Sequence, residues 1–161
     1  MTDNPYGKYV QGEDVIKCLE ETPRAIEAAL RLWSPDAFER SYAPGKWSAR
    51  QLLVHLAHSE IVFAARLRFA LATEDYVLQP YDQDDWMRSE PAAEASDALA
   101  VYFAVRRMNL ALCRTLTPAQ RAKPLTHPDH GPIDVQWVMT MFAGHERHHL
   151  PQIEAVAPSR A

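Results

Sequence analysis

Apolar residues recur along most of the chain at the spacing of an α-helix, and no segment shows β-branched residues in strict alternation. The clearest pattern follows Ser48, a residue type that often caps helix N-termini. From there to about Leu71, one apolar stripe spans roughly 60° of a helical wheel. Its members are Leu52, Leu56, Phe63, Leu67 and Ala70. The sequence therefore predicts a long amphipathic helix here.

Three further helices are predicted from the same periodicity. Thr22–Pro23 suits the start of a helix. Residues 14–20 are already periodic, so one helix broken or kinked at Pro23 is the alternative. The other two helices are expected from residue 92 or 96 to 116, and from 133 or 134 to 156. Short helical turns are predicted to start at Ser34–Pro35 and Thr117–Pro118.

Four helices joined by moderate connections favour an all-α, antiparallel four-helix bundle. Residues 1–161 are predicted to form a single domain, with flexible termini over 1–12 and 157–161. Residues 73–91 form a long acidic and aromatic connection, and a connection of that length is often functional. Residues 124–132, PLTHPDHGP, are predicted to be a loop.

Charge and composition exclude several classes of partner. A net charge of -4 argues against a nucleic-acid-binding protein, and Arg106–Arg107 is interpreted as an exposed helix face. No run of about 18 apolar residues could span a bilayer, and the polar N-terminus lacks the apolar core of a signal peptide. We therefore expect a cytoplasmic protein without membrane contact. Cys18 and Cys113 are isolated thiols, expected to stay reduced and to fill helix faces.

Histidines carry the strongest chemical signal. His145 and His149 are one helical turn apart and share the apolar stripe of the last helix, so both can reach one metal ion. The alternative is a structural pair that is hydrogen-bonded in the core. His55 lies beside the stripe of the second helix and is the predicted third ligand. Three histidines leave a coordination position open, as in catalytic metal sites.

The remaining histidines are assigned no ligand role. His148 lies towards the edge of the stripe, and His58 is interpreted as a surface residue or as a residue behind the ligands. His127 and His130 fall in the predicted loop and are expected to be solvated, with a lid over the site as the alternative. Trp47, Trp86 and Trp137 are expected in the core or in a cavity wall.

Two polar residues are candidates for roles beside the ligands. Glu60 falls on the apolar stripe of its helix, where an unpaired carboxylate is expensive. It is expected either to support the site as an acceptor or general base, or to form an ion pair with Arg66 or Arg147. Gln152 lies on the His145 side of the last helix and could contact a ligand or a substrate, with a polar helix edge as the alternative.

Two segments resemble the DinB-like superfamily: GKWSARQLLVHLAHSE, residues 45–60, and GHERHHLPQI, residues 144–153. The matching positions are Trp47–Ser48, then His55, and a late HxxxH formed by His145 and His149. The resemblance implies a four-helix DinB fold, often dimeric, with a three-histidine metal site and an open position. Several similar proteins use a low-molecular-weight thiol as cosubstrate. Pro151 departs from the pattern and is expected to bend the helix after His149.

These observations predict one divalent metal ion, zinc or nickel first, with iron, cobalt or manganese as alternatives. The predicted function is a metal-dependent transferase, in one version thiol-dependent, or a hydrolase acting on a small molecule. The alternative is a non-catalytic bundle of a stress response that binds metal or a small ligand. A homodimer is expected because several large apolar residues lie off the main stripes. They are Phe69, Phe103, Met108 and Met141.

Overall fold

The computed structural model describes residues 3–156, and four long helices dominate it. They are α1 (Val15–Leu30), α2 (Ala49–Ala72), α4 (Ala95–Thr115) and α6 (Val135–Glu154), with the short helices α3 (Gln83–Ser89) and α5 (Pro118–Arg121) between them. Two 3₁₀ turns, Gly7–Tyr9 and Pro35–Glu39, complete the helical elements of the described part. Helix α2 packs against α4 and α6, and α1 packs against α6. The predicted four-helix bundle is confirmed.

Polar side chains cap the long helices where the sequence suggested. Ser48 accepts from the Gln51 amide while the Gln51 side chain accepts from the Ser48 amide, which forms a complete capping box for α2. Asp134 caps α6 by accepting from the Trp137 amide at 2.7 Å. Helix α1 is continuous through Pro23, so the single-helix alternative is the one observed. These caps fix where α2 and α6 begin, and therefore where the histidines lie along each helix.

Two connections contain structure that the sequence did not predict. Residues 124–132 were expected to be a loop, but β1 (Pro124–His127) pairs antiparallel with β2 (Gly131–Asp134). The hairpin forms because Leu125 and Ile133 face each other and are buried in the core, while Gly131 supplies a positive φ of 71° at the turn. The 73–91 connection contains α3, which Asp82 caps through two amides.

The N-terminal segment lies along α6. Asn4 donates to the Trp137 carbonyl at 3.0 Å, and Val10 is buried in the core. Gly144 permits this close approach, since a Cβ there would stand 2.2 Å from the Tyr6 carbonyl oxygen. Part of the predicted flexible stretch 1–12 therefore contacts the bundle, through Asn4, Tyr6 and Val10; residues 1–2 and 157–161 lie outside the described residues.

Two apolar clusters form most of the core, one toward each end of the bundle. The first includes Phe63, Leu67 and Met139, and the second includes Leu52 and Tyr102. Free Cys18 and Cys113 are buried in the first cluster, and burial raises the pKa of Cys113 to about 11. Both thiols therefore fill helix faces, as expected. Within residues 3–156, no helix combines the length and apolarity needed to cross a bilayer.

Candidate metal centre

The three predicted ligands meet at one point between α2 and α6. The His145 Nε2 atom lies 3.0 Å from His55 Nε2 and 3.1 Å from His149 Nε2. One ring nitrogen of each histidine lies within 4.8 Å of the other two. The i, i+4 spacing on α6 places His145 and His149 on one face, and the capped start of α2 brings His55 opposite them. The structure thus brings together the three residues that the sequence singled out.

Burial keeps these imidazoles neutral. It lowers the pKa of His55 to about 3, with His149 and His58 adding a smaller effect in the same direction. Burial likewise lowers the pKa of His149 to about 4 and that of His145 well below its ordinary value. Near neutral pH each ring therefore carries one proton and offers one nitrogen lone pair.

Neighbouring side chains contact all three rings, and one of them determines which nitrogen of His149 offers its lone pair. Gln152 Oε1 lies 2.7 Å from His149 Nδ1 and can only accept, so Nδ1 carries the proton and Nε2 is free to bind. The Tyr81 hydroxyl lies 3.4 Å from His55 Nδ1, and the Trp47 ring packs 5.0 Å from the His55 ring. Tyr6 packs edge-on against His145, with ring centroids 5.1 Å apart. The rings are thus held by contacts on their outer sides.

The donor set fits a metal ion. A ring nitrogen has one hydrogen or one lone pair, so His145 Nε2 cannot hydrogen-bond well to both of its neighbours at once. A cation would accept all three lone pairs. Ligands at about 2.0–2.1 Å from one tetrahedral zinc ion lie about 3.3–3.4 Å apart, close to the observed separations. Buried His145 Nδ1 has no hydrogen-bond partner among the described residues, so only the convergence at Nε2 bears on metal binding by this ring.

A cavity of about 320 Å³ opens beside His149. Trp47 and Gln152 form part of its wall, and Gln83 and Asp84 of α3 form another part. The 73–91 connection, which the sequence marked by its length, therefore contributes directly to the surroundings of the three histidines. Trp47 is a cavity wall, as expected, and Trp137 is a core residue.

Glu60 is buried, but its partner differs from the two predicted ones. It pairs with Arg106, whose Nε lies 2.7 Å from Glu60 Oε1, and not with Arg66 or Arg147. Arg147 instead pairs with Glu13, at 3.0 Å. The expectation of an exposed Arg106 was wrong, because its α4 position faces the interior and it is only 3% exposed. Arg107 is exposed, as expected.

Sequence reasoning missed Glu146, which completes this second polar cluster. Its Oε1 accepts from Arg106 Nη2, and the side chain is fully buried. Asn109 donates to Glu60 Oε2 at 2.8 Å. Burial raises the pKa of Glu146 to about 8, with Glu60 raising it further and Arg106 opposing. The available signal was the helical spacing of Tyr102, Arg106, Asn109 and Cys113, all of which are buried on one face of α4.

The other histidines lie outside the three-histidine group. Of the two positions expected for His58, the surface is wrong: the side chain is only 3% exposed because Trp86 and Glu90 cover it, and its Nε2 lies 3.1 Å from Glu90 Oε2. His148 Nδ1 lies 2.9 Å from the Tyr9 hydroxyl. The expectations of a solvated loop or a lid fail for His127, which is buried in β1; it packs against Trp137, as half-buried His130 also does.

The sequence is similar to those of two proteins named as candidate metal-dependent hydrolases. YfiT of Bacillus subtilis, named as a candidate metal-dependent hydrolase, is 28% identical over 160 residues, covering 92% of this chain and 90% of YfiT. A second candidate metal-dependent hydrolase, from Oceanobacillus iheyensis, is 28% identical over 145 residues, covering 86% of this chain and 81% of the relative. Both alignments span nearly the full length of the chain.

Solved structures give the same picture of the fold. YfiT, described as having an unusual four-helix bundle topology, superposes with a TM-score of 0.79 at 28% identity, covering 88% of this chain and 83% of YfiT. A mycothiol-dependent maleylpyruvate isomerase superposes with a TM-score of 0.71 at 14% identity, covering 89% of this chain and 60% of the isomerase. The second likeness concerns the fold alone.

A family model also covers both histidine-bearing helices. The model of the DinB superfamily matches residues 19–153, a range that includes all three converging histidines. The resemblance seen in residues 45–60 and 144–153 therefore extends over most of the chain. This protein belongs to the DinB superfamily.

Proposed function

We propose that the chain binds one divalent metal ion through His55, His145 and His149, with zinc or nickel the first choice. We propose further that it is a metal-dependent hydrolase or transferase acting on a small molecule in the adjoining cavity. The observation that carries this proposal is the convergence of three neutral imidazole nitrogens beside an open cavity. When bound, such an ion would lower the pKa of a water or thiol in its open position and polarise an electrophile.

The residues of the chain have distinct roles in this proposal. Gln152 holds His149 in the tautomer that binds through Nε2. Trp47 fixes one face of His55 and walls the cavity, which limits access of bulk water to the ligands. Lys46 and Asp84, both on the cavity wall, offer opposite charges to a polar substrate. Glu60 is the neighbour of Arg106, so its role here is to hold the helices together.

Hydrolysis is the version that the relatives favour. The relatives at 28% identity are named as candidate metal-dependent hydrolases. Transfer to or from a low-molecular-weight thiol is the second version. It rests on the fold shared with an isomerase whose name records a dependence on mycothiol. In both versions the residues of this chain bind the substrate beside the same three histidines.

A non-catalytic metal-binding bundle, such as a stress-response module, is the alternative. A structural site would be closed by a fourth protein ligand. Among the described residues, the group of converging donors consists of the three histidines. Gln152 Oε1 is directed to the proton of His149 Nδ1 and is therefore not a fourth ligand in this arrangement. This favours an open position, and with it catalysis.

The test combines metal content with activity. Protein purified without a nickel column should contain close to one equivalent of divalent metal. His55→Ala, His145→Ala and His149→Ala should each reduce it to well under half, because two imidazoles hold these ions poorly. His130→Ala, an imidazole packed on Trp137, is the matched control and should retain full content. Ester, amide and thiol-transfer assays, with and without a chelator, then separate hydrolase, transferase and non-catalytic protein. Full metal content in His55→Ala would overturn the ligand assignment.

We also propose that the chain forms a homodimer. Phe69 and Met108 are 56% and 62% exposed, whereas Phe103 and Met141 are half-buried. Phe69 on α2 and Met108 on α4 therefore each expose a large apolar side chain that a partner could cover. Sedimentation at micromolar concentration should show a dimer that Phe69→Glu weakens. A single species near 18.3 kDa would contradict the proposal.

A further inference from the structure

Arg66 on α2 is a half-buried cation without an acidic partner. Its Nη2 donates to the Gln79 carbonyl at 2.8 Å, which ties it to the 73–91 connection. Its Nε is buried and has no hydrogen-bond partner in the described part of the chain. Over residues 3–156, no carboxylate oxygen lies within ion-pair distance of its guanidinium; the nearest groups that act on it electrostatically are the phenols of Tyr76 and Tyr81.

Half-buried Arg68 and Arg121 also lack a carboxylate partner, but their guanidinium groups donate to carbonyl and amide oxygens, and none of their buried N–H groups is left without a partner as Arg66 Nε is. Arg106 is buried against two carboxylates, and Arg147 pairs with Glu13. An enclosed cation without a counter-charge is costly, and burial lowers the pKa of Arg66. Such a cation is retained at little cost when a bound anion supplies the missing charge.

The Arg66 side chain lines a small cavity of about 70 Å³ between α2 and α6. The wall is mostly apolar, with Phe63, Met141 and Phe142 among its members. Apolar walls lower the local dielectric and strengthen the attraction between a guanidinium and an anion. At about 30 Å³ per water in the liquid, the cavity has the volume of about two waters, which is room for a carboxylate group, with a hydrocarbon stem extending from it along the apolar wall.

This cavity adjoins the three-histidine group. His145 lines the cavity and is also the central member of that group. Tyr81 lines it as well, and its hydroxyl lies 3.4 Å from His55 Nδ1. The Tyr81 hydroxyl can donate a hydrogen bond to an anion in the cavity. A ligand in this cavity would therefore contact His145 from a cavity that Gln152 does not line.

We propose that this cavity is the acid-binding subsite of the metal centre. In it, Arg66 binds the carboxylate of a small organic acid whose hydrocarbon stem lies against Met141 and Phe142. The proposal deepens the function proposed above and rests on it for the reaction, but the binding of the acid can be measured without any reaction. A guanidinium presents two parallel N–H donors to a carboxylate, and a neutral amide cannot replace that pairing.

Butyrate and butyramide are the probes, because they have nearly the same shape and differ in charge. Each is titrated into the metal-loaded and the metal-free protein, and backbone amide NMR shifts are followed. We expect saturable shifts in α2 and α6 with butyrate, and at least tenfold weaker binding of butyramide. Arg66→Met should weaken butyrate binding at least tenfold, and Arg66→Lys should weaken it less. Arg107→Met removes the same charge from an exposed α4 position and should have no effect.

The outcomes separate the subsite from the metal centre. Equal binding of butyrate and butyramide would overturn the proposal, as would unchanged butyrate binding by Arg66→Met or a lack of saturable shifts in the wild type. Metal content is measured on the same samples. If the protein contains no metal as purified and takes up none when metal is added, yet binds butyrate through Arg66, the proposed function is contradicted and the subsite is supported. If Arg66→Met fails to fold, Arg66→Lys and the comparison of the two probes decide.

Discussion

Two buried polar clusters lie side by side on the same helices, and they are built in opposite ways. One consists of Glu60, Arg106 and Glu146, and the other of the three converging histidines. Glu60 follows His55 by five residues on α2, and Glu146 follows His145 directly on α6. Neighbouring positions on the same two helices therefore supply both a closed ionic cluster and an open group of imidazoles.

The ionic cluster pairs its charges internally, although buried Glu146 Oε2 has no hydrogen-bond partner in the described part of the chain. Arg106 donates to both carboxylates, and Asn109 donates to Glu60. With its raised pKa of about 8, Glu146 is mostly protonated at neutral pH, so one negative charge faces one positive charge. The cluster also lies between the two apolar clusters: along α2, Leu56 belongs to one and Phe63 to the other. It therefore forms a polar layer that joins α2, α4 and α6.

The imidazole group lacks this internal balance. Its members are neutral rings that bring like nitrogens together, and His145 Nδ1 has no partner in the described part of the chain. Burying such polar groups without matched partners is costly unless something else binds them. The two clusters therefore differ in charge pairing: the ionic cluster contains its own counter-charges, whereas the imidazole group brings together three like nitrogens that one cation could bind.

The largest expected effect is the loss of stability when Arg106, the cation of the ionic cluster, is replaced. Arg106→Met leaves two carboxyl groups buried without their cation and should reduce the free energy of unfolding by about 3–5 kcal/mol. Urea unfolding measures this. Arg107→Met, at the next and exposed position, should change stability by less than about 0.5 kcal/mol. A loss below about 1 kcal/mol for Arg106→Met would mean that the cluster does not hold the three helices together.

A smaller change in stability should follow when a metal ion binds to the three histidines. A divalent metal at about 100 times its dissociation constant should raise the free energy of unfolding by about 2.7 kcal/mol. The gain should vanish when a chelator is added, and it should be absent in His145→Ala. His130→Ala should show the same gain as the wild type. An equal gain in His145→Ala would place the metal elsewhere on the chain.

The three-histidine group could be predicted from the sequence because the features that indicate it are local. Ser48 and Gln51 fix the start of α2, and the spacing of His145 and His149 fixes a shared face on α6. Each of these features involves residues within one turn of helix. Placing His55 opposite them needed only that α2 and α6 run antiparallel.

The ionic cluster was harder to predict because its contacts join residues that are far apart in the sequence. Arg106 joins residues 46 and 40 positions away, and its neighbour Arg107 made the pair resemble an exposed face. Arg66 was considered only as a partner for Glu60, since nothing local shows that it lacks a carboxylate. The hairpin at 124–134 was missed because a strand of four residues with two inward positions gives little alternation to detect.

The smallest predicted effect tests the contact that orients one ligand. Gln152→Met removes the acceptor 2.7 Å from His149 Nδ1 while keeping the length of the side chain. Loss of such a contact behind a metal ligand lowers metal affinity by about 10- to 100-fold. Competition with a chromophoric chelator measures this affinity. Gln152→Glu keeps an acceptor oxygen and should stay near the wild type. If Gln152→Met also binds metal as the wild type does, Gln152 is only a polar helix edge and the tautomer of His149 is fixed by the metal itself.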